Sequence, residues 1–216
     1  MNTKLLLPVY DDTLLLDALA ASHRIGPRLL AILNPNSGSN LTKSQVKPYQ
    51  RAIKSLSSNR SSILGYIDLH QGDGFTGPGP RKIRKTADIL IEIARWNDLG
   101  VTSFFFDDAV DWQGTKIKPL LEDIRAFLIH LDTSWLNPGA PAPGLASLGA
   151  NLITLEDTTS KNAPAGPSCG WIMLGRKTLP PIPAGLGAYF ATDRAPSSAF
   201  QALPTYWNQL LNKFPA

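Results

Sequence analysis

The sequence predicts an α/β protein, a single domain over residues 1–216 folded as a (β/α)8 TIM-like barrel with shortened sixth and seventh helices. Three observations predict it. Eight short apolar runs recur along the chain. Segments of helical spacing or turn-rich composition separate them, the pattern of parallel strands joined by crossovers. The length of 216 residues, with 43% apolar and 18% charged side chains, suffices for one full core but not comfortably for two. An open doubly wound sheet is the main rival. It usually carries a glycine-rich turn after its first strand, and that position here reads Pro8-Val9-Tyr10-Asp11-Asp12.

Leu5 to Tyr10 is the first strand, and Leu14, Leu15, Ala18 and Leu19 give the next segment a helical apolar face. The second strand, Arg28 to Leu33, runs into Asn34-Pro35-Asn36-Ser37-Gly38, turn residues that cannot continue a sheet. A Lys-rich helix around Ser44 to Leu56 leads to the third strand, Ile63 to Ile67. The segment Gln71 to Pro80 holds four glycines and two prolines and reads as an irregular loop. Ile89, Leu90, Ile93 and Trp96 then share one side of a helix over Thr86 to Trp96.

Val101 to Phe106 is the strongest strand signal, because Thr102 and three successive phenylalanines favour a pleated, buried setting. A helix over Pro119 to Leu131 follows, with proline near its first turn. Ser134 to Leu136, Leu152 to Leu155, Gly170 to Leu174 and Leu186 to Ala191 complete the strands. Ser160 to Ser168 and Arg176 to Gly185 are rich in Pro and Gly and stand where the sixth and seventh helices belong. A last helix is predicted near Ala199 to Leu211.

Composition narrows the function classes. No run of eighteen apolar residues exists, so no membrane span is expected. Lys4 with Leu5, Leu6 and Leu7 imitates the start of a secretion signal, but Pro8 and the acids at 11 and 12 end the run, and it reads as a strand. The lone Cys169 permits no internal disulfide and, in an apolar run, reads as a small buried hydrophobe. The net charge of +4 is uneven, with +5 in residues 1–100 and −1 beyond. Arg81, Lys82, Arg84 and Lys85 form its densest cluster; without interleaved aromatics or a nucleic-acid motif it reads as a solvated helix entrance, and no nucleic-acid partner is expected.

Chemistry concentrates at predicted strand ends. Asp107 and Asp108 follow Phe104-Phe105-Phe106, Glu156 follows Leu152 to Leu155, Asp68 ends the third strand, and Asp193 lies just past the eighth. At the C-terminal ends of barrel strands such carboxylates face a shared mouth, although adjacent strand residues point to opposite faces, so only one of Asp107 and Asp108 aims down the axis. Paired carboxylates suit glycoside hydrolysis, one protonating the leaving oxygen and the other attacking the sugar carbon or activating water. Taken singly, each Asp could equally brace its loop. Around them the expected sugar-contacting residues are Tyr10, Asn36, Tyr66, Asp68, His70, Trp112, Asn137, Tyr189 and Asp193. No cofactor is expected, and no metal: His23, His70 and His130 are scattered, and the one place a ligand set could form is Asp68 and His70 beside Asp107. No GxSxG elbow and no phosphate cradle occur.

In order and spacing, Leu5-Leu6-Leu7-Pro8-Val9-Tyr10, Leu33-Asn34-Pro35-Asn36-Ser37-Gly38, Leu64-Gly65-Tyr66, Phe105-Phe106-Asp107-Asp108, Leu136-Asn137-Pro138-Gly139 and Leu155-Glu156-Asp157 resemble the spherulin 4 family. The matches run to about Tyr189-Phe190-Ala191-Thr192-Asp193. The resemblance implies a (β/α)8 barrel related to fungal glycoside hydrolases that cut galactosamine-containing polysaccharide, acting endo on α-1,4-linked N-acetylgalactosamine in galactosaminogalactan. It implies Asp107 as nucleophile or electrostatic stabiliser, Glu156 as general acid/base, and Asp108 beside them. It also implies a secreted or cell-surface protein with a polysaccharide substrate; a monomer is expected. The chain departs from the family where Asp-Glu is usual and Asp107-Asp108 stands, one methylene shorter, and where a His in the third-strand motif is replaced by Asp68, with His70 two residues on. Displacing a reacting group by ~1 Å costs on the order of a hundredfold in rate. A non-catalytic carbohydrate-binding or developmental structural protein on the same barrel is therefore the alternative.

Overall fold

The computed structural model describes residues 3–36, 38–71, 82–109, 117–127, 134–137, 148, 152–156, 166–195 and 198–215, with backbone alone at 71, 82–83 and 152–156. The chain is an α/β fold built round a curled parallel sheet. Its strands are β1 (Lys4–Val9), β2 (Leu29–Leu33), β3 (Ser62–Asp68), β6 (Phe104–Asp107), β7 (Ser134–Leu136), β8 (Leu152–Glu156), β9 (Cys169–Met173) and β10 (Ala188–Ala191). Pairing runs β1-β10-β9-β8-β7-β6-β3-β2. β1 lies alongside β2 from Leu5 to Val9, and meets β10 only through Lys4 with Ala188 and Leu5 with Tyr189. An antiparallel pair, β4 (His70–Gln71) and β5 (Lys82–Ile83), stands outside the sheet; the sequence reading places Lys82 in a helix entrance and assigns no strand here.

The helices are α1 (Asp12–Ile25), α2 (Lys43–Ser58), α3 (Thr86–Asp98), α4 (Ile117–Phe127) and α5 (Trp207–Leu211). Each starts or stops for a local reason. Asp11 caps α1 by accepting from the Leu14 N–H at 2.8 Å. Thr42 and Gln45 form a capping box at α2, whose Pro48 sits early in the helix and so removes a single bond near its start. α5 is much shorter than the predicted Ala199–Leu211 helix, since Pro204 has no N–H to give and keeps Leu203 out of helical geometry. No helix occupies 176–185, in keeping with the Pro- and Gly-rich composition there.

The sheet is apolar on both faces, as parallel sheets are. Registers are continuous across β3, β6 and β7: Tyr66 lies opposite Phe105, Phe105 opposite Trp135, and Asp68 opposite Asp107. Residues two apart share a face, so Leu64, Phe105 and Trp135 line the inner surface below Tyr66, Asp68 and Asp107. The outer face meets the helices. Its Gly65 is required by a close approach, because a Cβ there would stand 2.8 Å from the Trp96 indole of α3. That indole also donates to the Tyr66 carbonyl at 3.1 Å, locking α3 to the strand that carries the mouth residues.

The predicted Val101–Phe106 strand begins three residues late and extends to Asp107. Val101 is spent closing α3, its N–H bonding the Trp96 carbonyl at 3.0 Å. Asp107 is therefore a true strand residue, with a fixed direction.

Candidate active site

Asp107 is the best-held side chain at the mouth. Tyr66 Oη donates to its Oδ2 at 2.7 Å, and Asn137 Nδ2 and its neighbour's backbone N–H (Asp108) both donate to Oδ1, at 2.8 and 2.9 Å. Asn137 is in turn pinned through its own backbone, from its N–H to the Phe106 carbonyl and from the Ala109 N–H to its carbonyl, both at 2.9 Å. The protein packed round the Asp107 carboxyl pushes its pKa up, and the Asp108 charge adds to this; the three donors favour the charged form and pull the other way. The Tyr66 hydroxyl is held well above its ordinary value, by burial first and then by the Asp107 charge, so it remains a donor.

Asp108 leaves the strand in the left-handed region, at φ 55°, a conformation Asp tolerates better than most residues. The turn carries its carboxylate toward His70, with Oδ2 3.9 Å from Nδ1. Asp68 reaches the same place from β3. Its Oδ1 accepts the His70 N–H at 2.8 Å, and burial raises its pKa while that N–H opposes the rise. One ligand atom from each of Asp68, His70 and Asp108 lies within 4.8 Å of the others, so this trio, rather than the expected grouping of Asp68 and His70 with Asp107, is where a cation would be held.

Beyond it lies a brace with no counterpart in the sequence reading. Arg84 Nη1 donates to Glu92 Oε2 at 2.7 Å and to the Asp68 carbonyl at 2.8 Å, and Glu92 Oε1 accepts the Ser39 N–H at 3.0 Å. Arg84 is thus an internal tie between β3 and α3, not part of a solvated helix entrance. Gly38, at φ 130°, leaves the room: a Cβ there would fall 2.0 Å from Glu92 Oε1. A signal for Glu92 exists in the sequence, since it falls between Ile89 and Trp96 on the apolar side of its helix.

Aromatic rings form one wall of the mouth. Tyr10 stacks on Phe200 with centroids 5.2 Å apart and planes at 14°, and meets Tyr66 edge-on at 6.2 Å. Phe200 and Phe190 extend this wall, and neither was singled out from sequence.

Other expected residues lie elsewhere. Tyr189 is one residue out of phase: it faces the outer side of β10, fully buried, its hydroxyl toward the Pro180 carbonyl at 3.4 Å. Asn36 (φ 53°) braces the start of α2, donating to the Asn40 carbonyl and to Gln45 Oε1. Asp193 is tied to Thr205 through the N–H at 3.1 Å and the hydroxyl at 2.6 Å, and those bonds lower its pKa. Trp112 lies outside the described residues. Glu156 ends β8 opposite Ile172, and the register from β7 through β8 puts position 156 in the same alternation phase as 107; its side chain is outside the described set. Cys169 is half-buried rather than enclosed, with its thiol pKa raised by burial.

A hollow of about 810 Å³ lies at the opposite, N-terminal end of the strands, among Lys4, Ser62, Ser103 and Gly187. Among the described residues, no carboxylate borders it. It is not the candidate site, because the polar groups suited to chemistry converge at the other end.

Among solved structures, the chain resembles the one titled "Structure of CpGH84B", with a TM-score of 0.57 at 11% identity. The match covers 87% of this chain and 44% of that one, so the chain spans less than half the length of that neighbour, and the likeness is one of fold. Among curated proteins, none matches the chain in sequence. The model of one family, the spherulation-specific family 4, matches residues 13–169. With nearly three quarters of its length inside that match, this chain belongs to the spherulation-specific family 4.

Proposed function

We propose that the chain is a glycoside hydrolase on a single (β/α)8 barrel, acting on an amino-sugar-containing polysaccharide with α-1,4-linked galactosamine or N-acetylgalactosamine. Membership of the spherulation-specific family and a fold shared with CpGH84B, a glycoside hydrolase by its designation, support a carbohydrate-related role. The observation that carries the reading is Asp107, a strand-end carboxylate held by three donors beside an aromatic wall.

In this reading Asp107 attacks the anomeric carbon or stabilises the positive charge that develops there, and Glu156 protonates the leaving oxygen. Tyr66 and Asn137 fix the carboxylate before substrate arrives, which lowers the cost of orientation at the transition state. Tyr10 and Phe200 offer flat faces to a sugar ring. The test is incubation with acetylated and deacetylated galactosaminoglycan, followed by assay of new reducing ends. Release by the native chain that Asp107→Asn and Glu156→Gln abolish supports hydrolysis; no release from either polymer sinks it for those substrates.

A second reading, binding without turnover, draws on one observation: Asp108, which stands where the family usually has Glu, leaves the strand at φ 55° with its carboxylate toward His70. Glycan binding that survives Glu156→Gln with no turnover on any polymer would select it.

A further inference from the structure

We propose that Asp68, His70 and Asp108 form a binding site for a divalent transition-metal cation, with Zn²⁺ the best fit. Two observations meet there. The three side chains offer one ligand atom each within 4.8 Å of one another. Separately, His70 is 5% exposed and, among the described residues, neither of its ring nitrogens has a hydrogen-bond partner. A buried imidazole left without partners is costly, and a ligand would relieve that cost; Nδ1 is aimed at the cluster, 3.9 Å from Asp108 Oδ2.

The donor set selects the ion. Ca²⁺ and Mg²⁺ take oxygen ligands almost exclusively, whereas imidazole with carboxylates suits Zn²⁺ and its neighbours. Ligands about 2.1 Å from a tetrahedral ion stand about 3.4 Å apart, so binding draws these three groups inward by roughly an ångström. The cluster is held from behind: Asp68 is tied to the His70 N–H, and its carbonyl to Arg84, whose charge Glu92 already balances. Three protein ligands leave a coordination position for water or another oxygen ligand. The site does not depend on hydrolysis taking place.

The test uses chelator-treated, tag-free native chain titrated with Zn²⁺, and separately with Ca²⁺ and Mg²⁺, by calorimetry. The expected result is one saturable Zn²⁺ site per chain, weakened at least tenfold in His70→Ala and in Asp108→Asn, each shown folded by circular dichroism, with far weaker Ca²⁺ and Mg²⁺ binding. Anomalous scattering from Zn²⁺-soaked native crystals keeps the proposal testable if a variant does not fold; a peak among the three side chains is expected. No saturable binding, equal affinity in folded His70→Ala, or a peak only at His23, His130 or Cys169 would overturn it. Saturable binding at this trio without reducing-end release from either polymer would leave the cation site standing and remove hydrolysis of those substrates.

Discussion

Tyr66 and Asp107 sit on neighbouring strands, two residues out of register and so on the same face, and the phenol closes on the carboxylate at 2.7 Å. Of the groups that lower the Asp107 pKa against burial, this hydroxyl has the largest effect. Tyr66→Phe removes it and leaves Asp107 with two donors. Hydrogen bonds to charged groups contribute about 1.5–3 kcal/mol, so the variant is expected to lose about that much stability at neutral pH and less in acid, as the carboxyl takes up a proton. The acidic limb of any pH–rate profile should move to higher pH. Denaturant melts at two pH values, with the rate profile, check both.

Asp107→Asn behaves differently, because the amide is satisfiable in place. Its oxygen keeps the bonds from Asn137 and the Asp108 N–H, while its NH2 meets a Tyr66 hydroxyl that turns from donor to acceptor. The wild-type carboxyl has a raised folded-state pKa. Its contribution to stability is therefore fully present below the unfolded value near ~3.9 and is lost as pH rises through the folded value. The variant should melt at or above the native temperature at pH 7, with the difference closing toward pH 4, while activity falls by about a thousandfold or more. A variant that melts well below native at pH 7 would contradict the argument.

These expectations rest on parts of the molecule that differ in how far the sequence reveals them. Strands such as β2, buried along its whole length, were legible as apolar runs, and so was a carboxylate following Phe104 to Phe106. Phase was not. A strand apolar on both faces carries no alternation, so nothing in Ala188 to Ala191 says that Phe190 and not Tyr189 shares the inner face. The direction of Asp108 depends on one left-handed residue, a choice its sequence permits but does not force. The Arg84–Glu92 tie joins a residue after a hairpin to the middle of a helix, and charge pairs across such a gap leave no periodic trace.

That tie makes its own prediction. Glu92 is 5% exposed and receives both Arg84 and the Ser39 N–H. Breaking a buried pair from one side costs about 3–5 kcal/mol; Arg84, one-fifth exposed, brings the expectation for Glu92→Ala to the lower end, about 3 kcal/mol. Glu92→Gln keeps an acceptor for Ser39 and should cost about half as much. Urea midpoints of the two variants, at a constant slope, measure the difference.

Gly65 tests the route by which α3 positions the mouth. A methyl group at this position would stand 2.8–2.9 Å from three atoms of the Trp96 indole, which is fully buried and cannot swing away. Overpacking of this kind costs about 1–3 kcal/mol, and relief requires α3 to shift outward from β3. The indole N–H holds the Tyr66 carbonyl, so that shift pulls on the residue that orients Asp107. Gly65→Ala is expected to lower stability within that range and to lower kcat more than it raises KM, because it disturbs the alignment of the carboxylate and leaves the Tyr10–Phe200 wall in place. A destabilised variant with unchanged kcat would show that α3 supports the fold without setting the geometry of the site.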